Sequence, residues 1–304
     1  MSEEIESIAK LFLETFLLIA DPSSRVYFVY LLSSILIAAL VYWFGPVTRS
    51  ARDNTSRSII GGVRFLFPIK IWLHKSTAID VMLLFFNSVL KSLVFIPVLM
   101  SSFTVGFYTV KGLRYVFGMA DKSILDWPDE VIVVSYTVVL ILAADLTRYF
   151  LHRLFHEIPF LWSFHKLHHS AEVMTPLTLY RSHPIEVMLS LLRDLLTIGL
   201  VSGVFFYVFG KSVDAELILG VNAGRFIFNI AGANLRHSHV WLSYGQRLEK
   251  VFISPAQHQI HHSDSFNHYN KNYGSQFALW DWMFGTLYVT NGREKVTFGL
   301  KTKN

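Results

Sequence analysis

Residues 162–170 read WSFHKLHHS and residues 255–263 read PAQHQIHHS. Both carry His-x-x-His-His-Ser, with mostly apolar sequence between them. A chain of 304 residues with 13 His would contain His-x-x-His-His by chance roughly 0.02 times, so the repeat asks for a chemical reason. Imidazole nitrogen suits Zn, Cu, Fe and Ni. Upstream, HRLFH sets His152 and His156 four residues apart, on one face of a helix if the helix continues. His165, His168 and His169 follow on a second short helix, with Pro159 marking the break. Farther on, LRHSH offers His237 and His239. The second box supplies His258, His261 and His262, with Pro255 at a helix start and Ser254 as its cap. One ion takes three to five protein ligands, so ten clustered His suit two ions. Two metals a few ångströms apart permit cooperative handling of O₂. Soluble di-iron proteins build such sites from Glu and Glu-x-x-His on helices; this chain would use imidazole for most of the carboxylates. No catalytic residue stands out beyond these ligands.

Other chemistry is excluded on the same residues. A zinc protease needs His-Glu-x-x-His, and Arg153 follows His152. The chain has no Cys, which removes disulfides, iron–sulfur clusters and thiolate-bound haem. No Gly-rich dinucleotide fingerprint is present. His183, in RSHPIE, suits a place behind the ligands or a plain helix start, and His239 lies too close to His237 for both to reach one metal readily. His268 is expected outside the ligand set and His74 is expected to be an ordinary structural residue. Asp145, Glu157, Glu172, Glu186, Asp264 and Asp281 are candidates for orienting His ring N–H groups. Asn234 is a candidate for holding a metal-bound water.

Long apolar stretches must position these residues. The sequence is 52% hydrophobic and 16% charged, against about 25% charged in ordinary soluble domains, and its mean hydropathy is +0.41. Five stretches are long enough to cross a bilayer or re-enter it: 26–44, 80–108, 131–150, 186–209 and 213–231. The last two carry more ionisable residues, each costing about 2.5–3.5 kcal/mol near the centre of a span. The opening MSEEIE is acidic, unlike a signal peptide, and residues 5–18 fit an amphipathic helix. With the N-terminus outside, five spans put the run Arg49, Arg52, Arg57, Arg64, Lys70 and Lys75 on the cytoplasmic side. The same threading brings 152–185 and 232–304 to that side, and these segments hold 12 of the 13 His. The pI near 9.3 therefore reads as membrane orientation and attraction to anionic lipid. No nucleic-acid recognition motif accompanies it.

The constellation resembles the fatty acid hydroxylase/sterol desaturase superfamily of integral membrane enzymes. The matching pieces are HRLFH, FHKLHHS, RSHPIE, LRHSH, SPAQHQIHHS and NYGSQFALWDWMFGTLY, over roughly residues 140 to 290. The resemblance implies two non-haem Fe ions, O₂ as co-substrate and oxidation of an unactivated C–H bond of a lipid, by hydroxylation or desaturation. Zn is a possible substitute in purified protein. It also implies a separate electron donor such as ferredoxin or cytochrome b5, since no fused cytochrome b5 domain is read after WDWMFGTLY. The implied metal ligands are His152, His156, His165, His168, His169, His237, His258, His261 and His262, with His239 a compressed version of the family's third cluster. A basic surface of Arg148, Arg153, Arg247, Lys250 and Lys271 would receive the donor.

Two other functions compete. A zinc-dependent membrane hydrolase or lyase would need only about three protein ligands. A metal transporter would place its site at mid-membrane on broken helices. The expected fold is all-α: a polytopic membrane protein with four to five transmembrane or re-entrant helices and a cytoplasmic cap of short helices carrying the histidine boxes. Residues 1–304 are expected to form one integral membrane domain, with spans and a basic loop over 1–130 and the histidine-box region over 131–290.

Overall fold

A computed structural model of the chain describes residues 13, 15–45, 57–95, 101–118, 124–210, 224 and 226–300. Most of the expected amphipathic helix over 5–18, the loop residues Arg49 and Arg52, and most of the stretch 213–231 lie outside the described residues. Within them the chain is helical. Two isolated β-bridges occur and no strand.

The principal helices are α1 (Phe28–Phe44), α2 (Ile59–Leu66), α3 (Lys75–Leu90), α4 (Ser102–Phe117), α5 (Asp129–Glu157), α6 (Pro159–His169), α7 (Pro184–Phe209), α8 (Pro255–His261) and α9 (Leu279–Met283). Three helical segments are long and apolar enough to cross a membrane: Lys75–Phe95, Asp129–Glu157 and Pro184–Phe209. Helix α1 is apolar but shorter, at 17 residues. The expected single span over 80–108 is instead two helices: α3 runs into a π turn at Lys91–Phe95, and α4 starts afresh at Ser102. Pro97 lies between them in sequence and cannot donate to a helical ladder. Ser101 then caps α4 by accepting the Thr104 N–H at 3.1 Å.

Helix α5 explains how membrane and site connect. Asp129 and Glu130 open it, matching the positive end of the helix dipole. Its 29 residues span about 44 Å, against about 30 Å of hydrocarbon. The excess is roughly two to three turns, and the last two turns carry His152 and His156. Ile132, Tyr136, Leu140, Asp145, Tyr149 and Phe155 form its buried stripe. Ile158 and Pro159 break the helix, and α6 begins with Pro at its first position.

Helix α7 closes against α4 through small residues. A Cβ on Gly203 would stand 2.6 Å from Thr109 Cβ and 2.8 Å from the Gly106 carbonyl oxygen. Gly199 and Gly203 thus let the two backbones approach closely, as small-xxx-small pairs do in membranes. Toward α5, α7 uses polar contacts: Tyr136 to Ser202 at 2.8 Å, Thr147 to Thr197 at 3.1 Å, and Arg193 donating to the Ala144 carbonyl at 2.9 Å. Helix α3 grips the strap before α7. Buried Asp80 accepts from Thr178 at 2.7 Å and faces Arg181 at 3.4 Å, while Asn87 donates to the Ser182 carbonyl at 2.8 Å.

Candidate metal centre

Nine imidazoles meet where the C-terminal end of α5 lies beside the N-terminal end of α7. They form two groups: His152, His156, His165, His169 and His261 in one, and His168, His237, His258 and His262 in the other. Within each group the ligand nitrogens lie within 4.8 Å of one another. Helical geometry splits each box. His165 and His169, one turn apart, share a face of α6 and enter the first group, while His168 points elsewhere and enters the second. The second box is reversed. His258 and His262 enter the second group and His261 crosses to the first. The sites touch: the His169 and His262 rings stack with centroids 4.4 Å apart.

The ring nitrogens show whether these residues fit metal ions. Four Nδ1 atoms meet oxygen: His152 the Tyr273 carbonyl (2.8 Å), His261 the Lys271 carbonyl (2.9 Å), His165 the Glu186 carboxylate (3.1 Å) and His168 the Arg181 carbonyl (3.2 Å). A carbonyl can only accept, so it fixes the proton on Nδ1 and leaves the Nε2 lone pair facing inward. The Nε2 atoms of His156, His165, His169, His261 and His262 are buried with no hydrogen-bond partner, a rare and costly condition for polar atoms. In the second group, Nε2 of His237 lies 2.9 Å from that of His258 and 3.3 Å from that of His168. Ligand atoms about 2.1 Å from one ion stand about 3.0–3.4 Å apart, so these spacings fit a shared metal. Burial pushes His165 down to about 3 and His168 to about 4, and drives His169, His237, His258, His261 and His262 well below the ordinary range. All seven are therefore neutral near pH 7, the form that binds metal.

The remaining sequence candidates fall elsewhere. His239 lies outside both groups; its Nε2 meets the Phe65 carbonyl at 2.6 Å. Ser238 between it and His237 is extended, so the two side chains diverge. His183 caps α7 by accepting the Ile185 N–H, and His74 caps α3 by accepting the Ser76 N–H. His268 meets Glu294 at 2.9 Å. Of the six carboxylates expected to orient ring N–H groups, Glu186 does so for His165. Asp145 accepts from the Gln276 and Phe277 N–H groups and Trp280 Nε1. Glu157 pairs with Arg153, Glu172 with Lys75, and Asp264 accepts from Thr297. Asp281 accepts the Tyr273 and Gly274 N–H groups and the Thr286 hydroxyl. Asn234 donates its Nδ2 N–H to the Arg25 carbonyl at 2.8 Å.

Sequence reasoning missed the backbone carbonyls of Arg181, Lys271 and Tyr273. Two belong to the loop NHYNKNYG, where Asn270 and Asn272 take φ of 59° and 57°. Asn tolerates that left-handed conformation better than most residues, so the Asn-rich loop was the available signal. Asn272 also bonds the Gln257 carbonyl and the Tyr288 N–H, tying the loop to α8. Helix α8 is fixed in turn by a reciprocal capping box between Ser254 and Gln257. Gln259 donates to the Ser238 and Val240 carbonyls, holding the His237 turn against it.

A cavity of about 420 Å³ opens onto His152, His165, His168, His237 and His258. Leu140, Ile141, Ala144, Leu151 and Phe155 give it an apolar wall from α5, and Arg25, Arg148 and Arg236 a cationic one. Arg148 faces the cavity and Arg153 forms an exposed ion pair with Glu157, while Arg247 and Lys250 are exposed. Burial, then Arg236 and Arg148 nearby, push the Arg25 guanidinium down to about 9.

A family model described as fatty acid hydroxylase matches residues 137–286, which contain all nine clustered imidazoles. The chain belongs to the fatty acid hydroxylase superfamily. Over 162 residues it is 29% identical to an ornithine lipid hydroxylase of Rhizobium tropici, covering 53% of this chain and 44% of that one. It is 28% identical over 159 residues to the alkylglycerol monooxygenase of Homo sapiens, covering 52% and 32%. A very-long-chain aldehyde decarbonylase of Oryza sativa is 27% identical over 166 residues, covering 54% and 59%. The matched region thus spans less than two thirds of each of these relatives. No solved structure matches. The superfamily match begins inside α5, so α1 to α4 lie outside it. With three helices long and apolar enough to cross a bilayer, this superfamily member is an integral membrane protein.

Proposed function

We propose that the chain is an O₂-dependent membrane lipid oxygenase that holds one Fe ion in each histidine group. The observation that carries this reading is the sorting of nine imidazoles, seven of them buried, into two adjoining sets. Five have unpartnered Nε2 atoms, and the Nε2 atoms of His168 and His258 lie within 3.3 Å of that of His237. His152, His156, His165, His169 and His261 would hold one ion and His168, His237, His258 and His262 the other; His239 is not among them. When bound, the two ions would supply O₂ activation and the oxidant for an unactivated C–H bond. The protein's own part is positional. Glu186 and three backbone carbonyls hold the ring tautomers. The apolar α5 wall receives the lipid's hydrocarbon and keeps water from the reacting carbon. Of the three relatives, the hydroxylase and the monooxygenase favour oxygen insertion over desaturation, while the third is a decarbonylase.

The lipid enters sideways from the bilayer, and the centre lies on the cytoplasmic side, where ferredoxin or cytochrome b5 brings electrons. Spans and ligand helices fold as one domain. The test is elemental analysis of detergent-purified protein grown with ample iron, followed by lipid screening with O₂ and a reductant. About two Fe per chain is expected, falling by about one in His165→Ala, by about one in His262→Ala, and by both in the double variant. One Zn per chain, or metal content indifferent to these substitutions, would instead support the zinc hydrolase.

A further inference from the structure

The cavity beside the metal groups carries more positive charge than its own carboxylates offset. Arg25, Arg148 and Arg236 all line it. None of the three takes part in an ion pair among the described residues. Arg236 is only 4% exposed, and its Nε and that of Arg25 are buried without a hydrogen-bond partner. Arg25 and Arg236 approach the same Phe228 ring, at 5.8 and 4.5 Å from its centroid. Their other contacts are weak. Arg236 donates to the Ile253 carbonyl at 3.3 Å and Arg148 to the Ser275 hydroxyl at 3.3 Å.

The three carboxylates on the wall each have a partner, although Glu186 Oε2 has none. Asp194 pairs with Arg193 at 2.7 Å and Glu186 holds His165. Asp145 lies near Arg236 but spends its oxygens on two backbone N–H groups and Trp280. Like charges gathered in a poorly solvated cavity repel strongly, and buried guanidinium N–H groups without acceptors are costly. Metal ions in the adjoining groups would add further positive charge. A cationic wall of this kind is complementary to an anion with several acceptor oxygens.

We propose that Arg25, Arg148 and Arg236 bind an anionic oxygen group, phosphate or carboxylate, on the polar end of the lipid substrate. The assignment rests on the lipid-oxygenase reading and adds the chemical class of the headgroup. Arginine suits the task because its planar fork offers several N–H donors to phosphate or carboxylate. A second cavity of about 610 Å³ shares Arg25, Ser182, Ser190, Glu186 and Asp194 with the first and adds Lys91 from the π turn and Asp21. The headgroup site is therefore one end of a larger space of mixed lining bounded by α3 and α7.

The test uses the full chain, iron-loaded in detergent, with four probes: dioctanoyl phosphatidic acid, N-decanoylglycine, dioctanoylglycerol and inorganic phosphate. Equilibrium binding is measured by calorimetry. At least one of the two anionic lipids is expected to bind tenfold or more tighter than dioctanoylglycerol. Arg25→Gln and Arg148→Gln should cut that preference to under threefold while keeping the iron content, and Arg25→Lys should keep part of it. Neither anionic lipid exceeding the neutral one would overturn the proposal, as would an undiminished preference in both Gln variants. Inorganic phosphate binding as tightly as phosphatidic acid would assign an anion site independent of lipid, and also overturns it. If the Gln variants fail to fold, wild-type salt dependence decides. The preference should shrink several-fold from about 0.05 M to about 0.5 M salt, and a constant preference sinks the idea. Binding needs no turnover. An inactive protein that keeps the preference overturns the oxygenase reading alone, whereas an active oxygenase without it overturns only the headgroup assignment.

Discussion

At the scale of residues, the ring tautomer is what the surroundings control. Glu186 Oε1 sits 3.1 Å from His165 Nδ1, and removing such partners costs about 10–100-fold in metal affinity. Glu186→Ala should therefore weaken the first metal by that factor and leave the second near wild type, as read by chelator competition; equal loss from both sites would contradict the division into groups. Protons compete for the same nitrogens. Imidazole in the unfolded chain titrates near about 6.5, while burial holds His165 down to about 3 and His168 to about 4. Between those limits the unfolded chain binds more protons than the folded one, so stability falls as pH falls. It is full above about pH 6.5 and is lost progressively toward about 4 and about 3. Chelator-treated protein in detergent should keep a level unfolding midpoint from about pH 8 to about pH 7, then lose it steadily to about pH 5. A midpoint rising on acidification would show that these rings are not buried as neutral groups.

At the scale of elements, two packing devices aim the ligands. The first is the α4–α7 contact. Gly203→Val would drive side-chain atoms into Thr109 and the Gly106 carbonyl, and overpacking of this kind costs about 1–3 kcal/mol. Thermal unfolding should register that loss, while the neighbouring Gly112→Ala, where a Cβ meets nothing within 4 Å, should be near neutral. The second device runs from α3 to the second metal group. Asp80 holds Thr178 and Arg181, and the Arg181 carbonyl faces His168 Nδ1. Asp80→Asn leaves a buried guanidinium without its charge partner, a class of change worth about 3–5 kcal/mol when the pair is broken outright. Weaker metal retention in the second group than in the first is the expected signature. Equal retention in both would mean that the strap does not position His168.

At the scale of the whole molecule, the two metal groups cannot form separately, because α6 and α8 each supply both. Loss of either helix's register empties two sites at once, so metal content should fall together, rather than stepwise, on mild denaturation. Orientation in the membrane is equally open to measurement, since the chain has no Cys and any introduced one is unique. Lys250→Cys is expected to resist a membrane-impermeant maleimide in intact cells and to react after permeabilisation. Labelling in intact cells would place the centre on the opposite face from the one proposed.

The sequence by itself determined the candidate ligand residues, the expectation that they serve two ions, and most of the helices. His-x-x-His-His is a local pattern, and apolar runs such as 131–150 and 186–209 declare helices through composition alone. The π turn at Lys91–Phe95 and the fresh helix start at Ser102 were not legible, because one apolar run covers both. Only the tertiary structure decided which imidazole joins which group. In both boxes adjacent residues part company, because neighbours in a helix point about 100° apart and the partner rings come from distant segments. It also decided that Asp145, Glu157, Glu172, Asp264 and Asp281 bind other partners while backbone carbonyls hold the rings. A carbonyl is present at every residue, so no residue type announces it. The unpaired arginines of the cavity became visible for the same reason: whether a charge has a partner depends on what the fold brings within reach of it, and Arg25, Arg148 and Arg236 come from parts of the chain far apart in sequence.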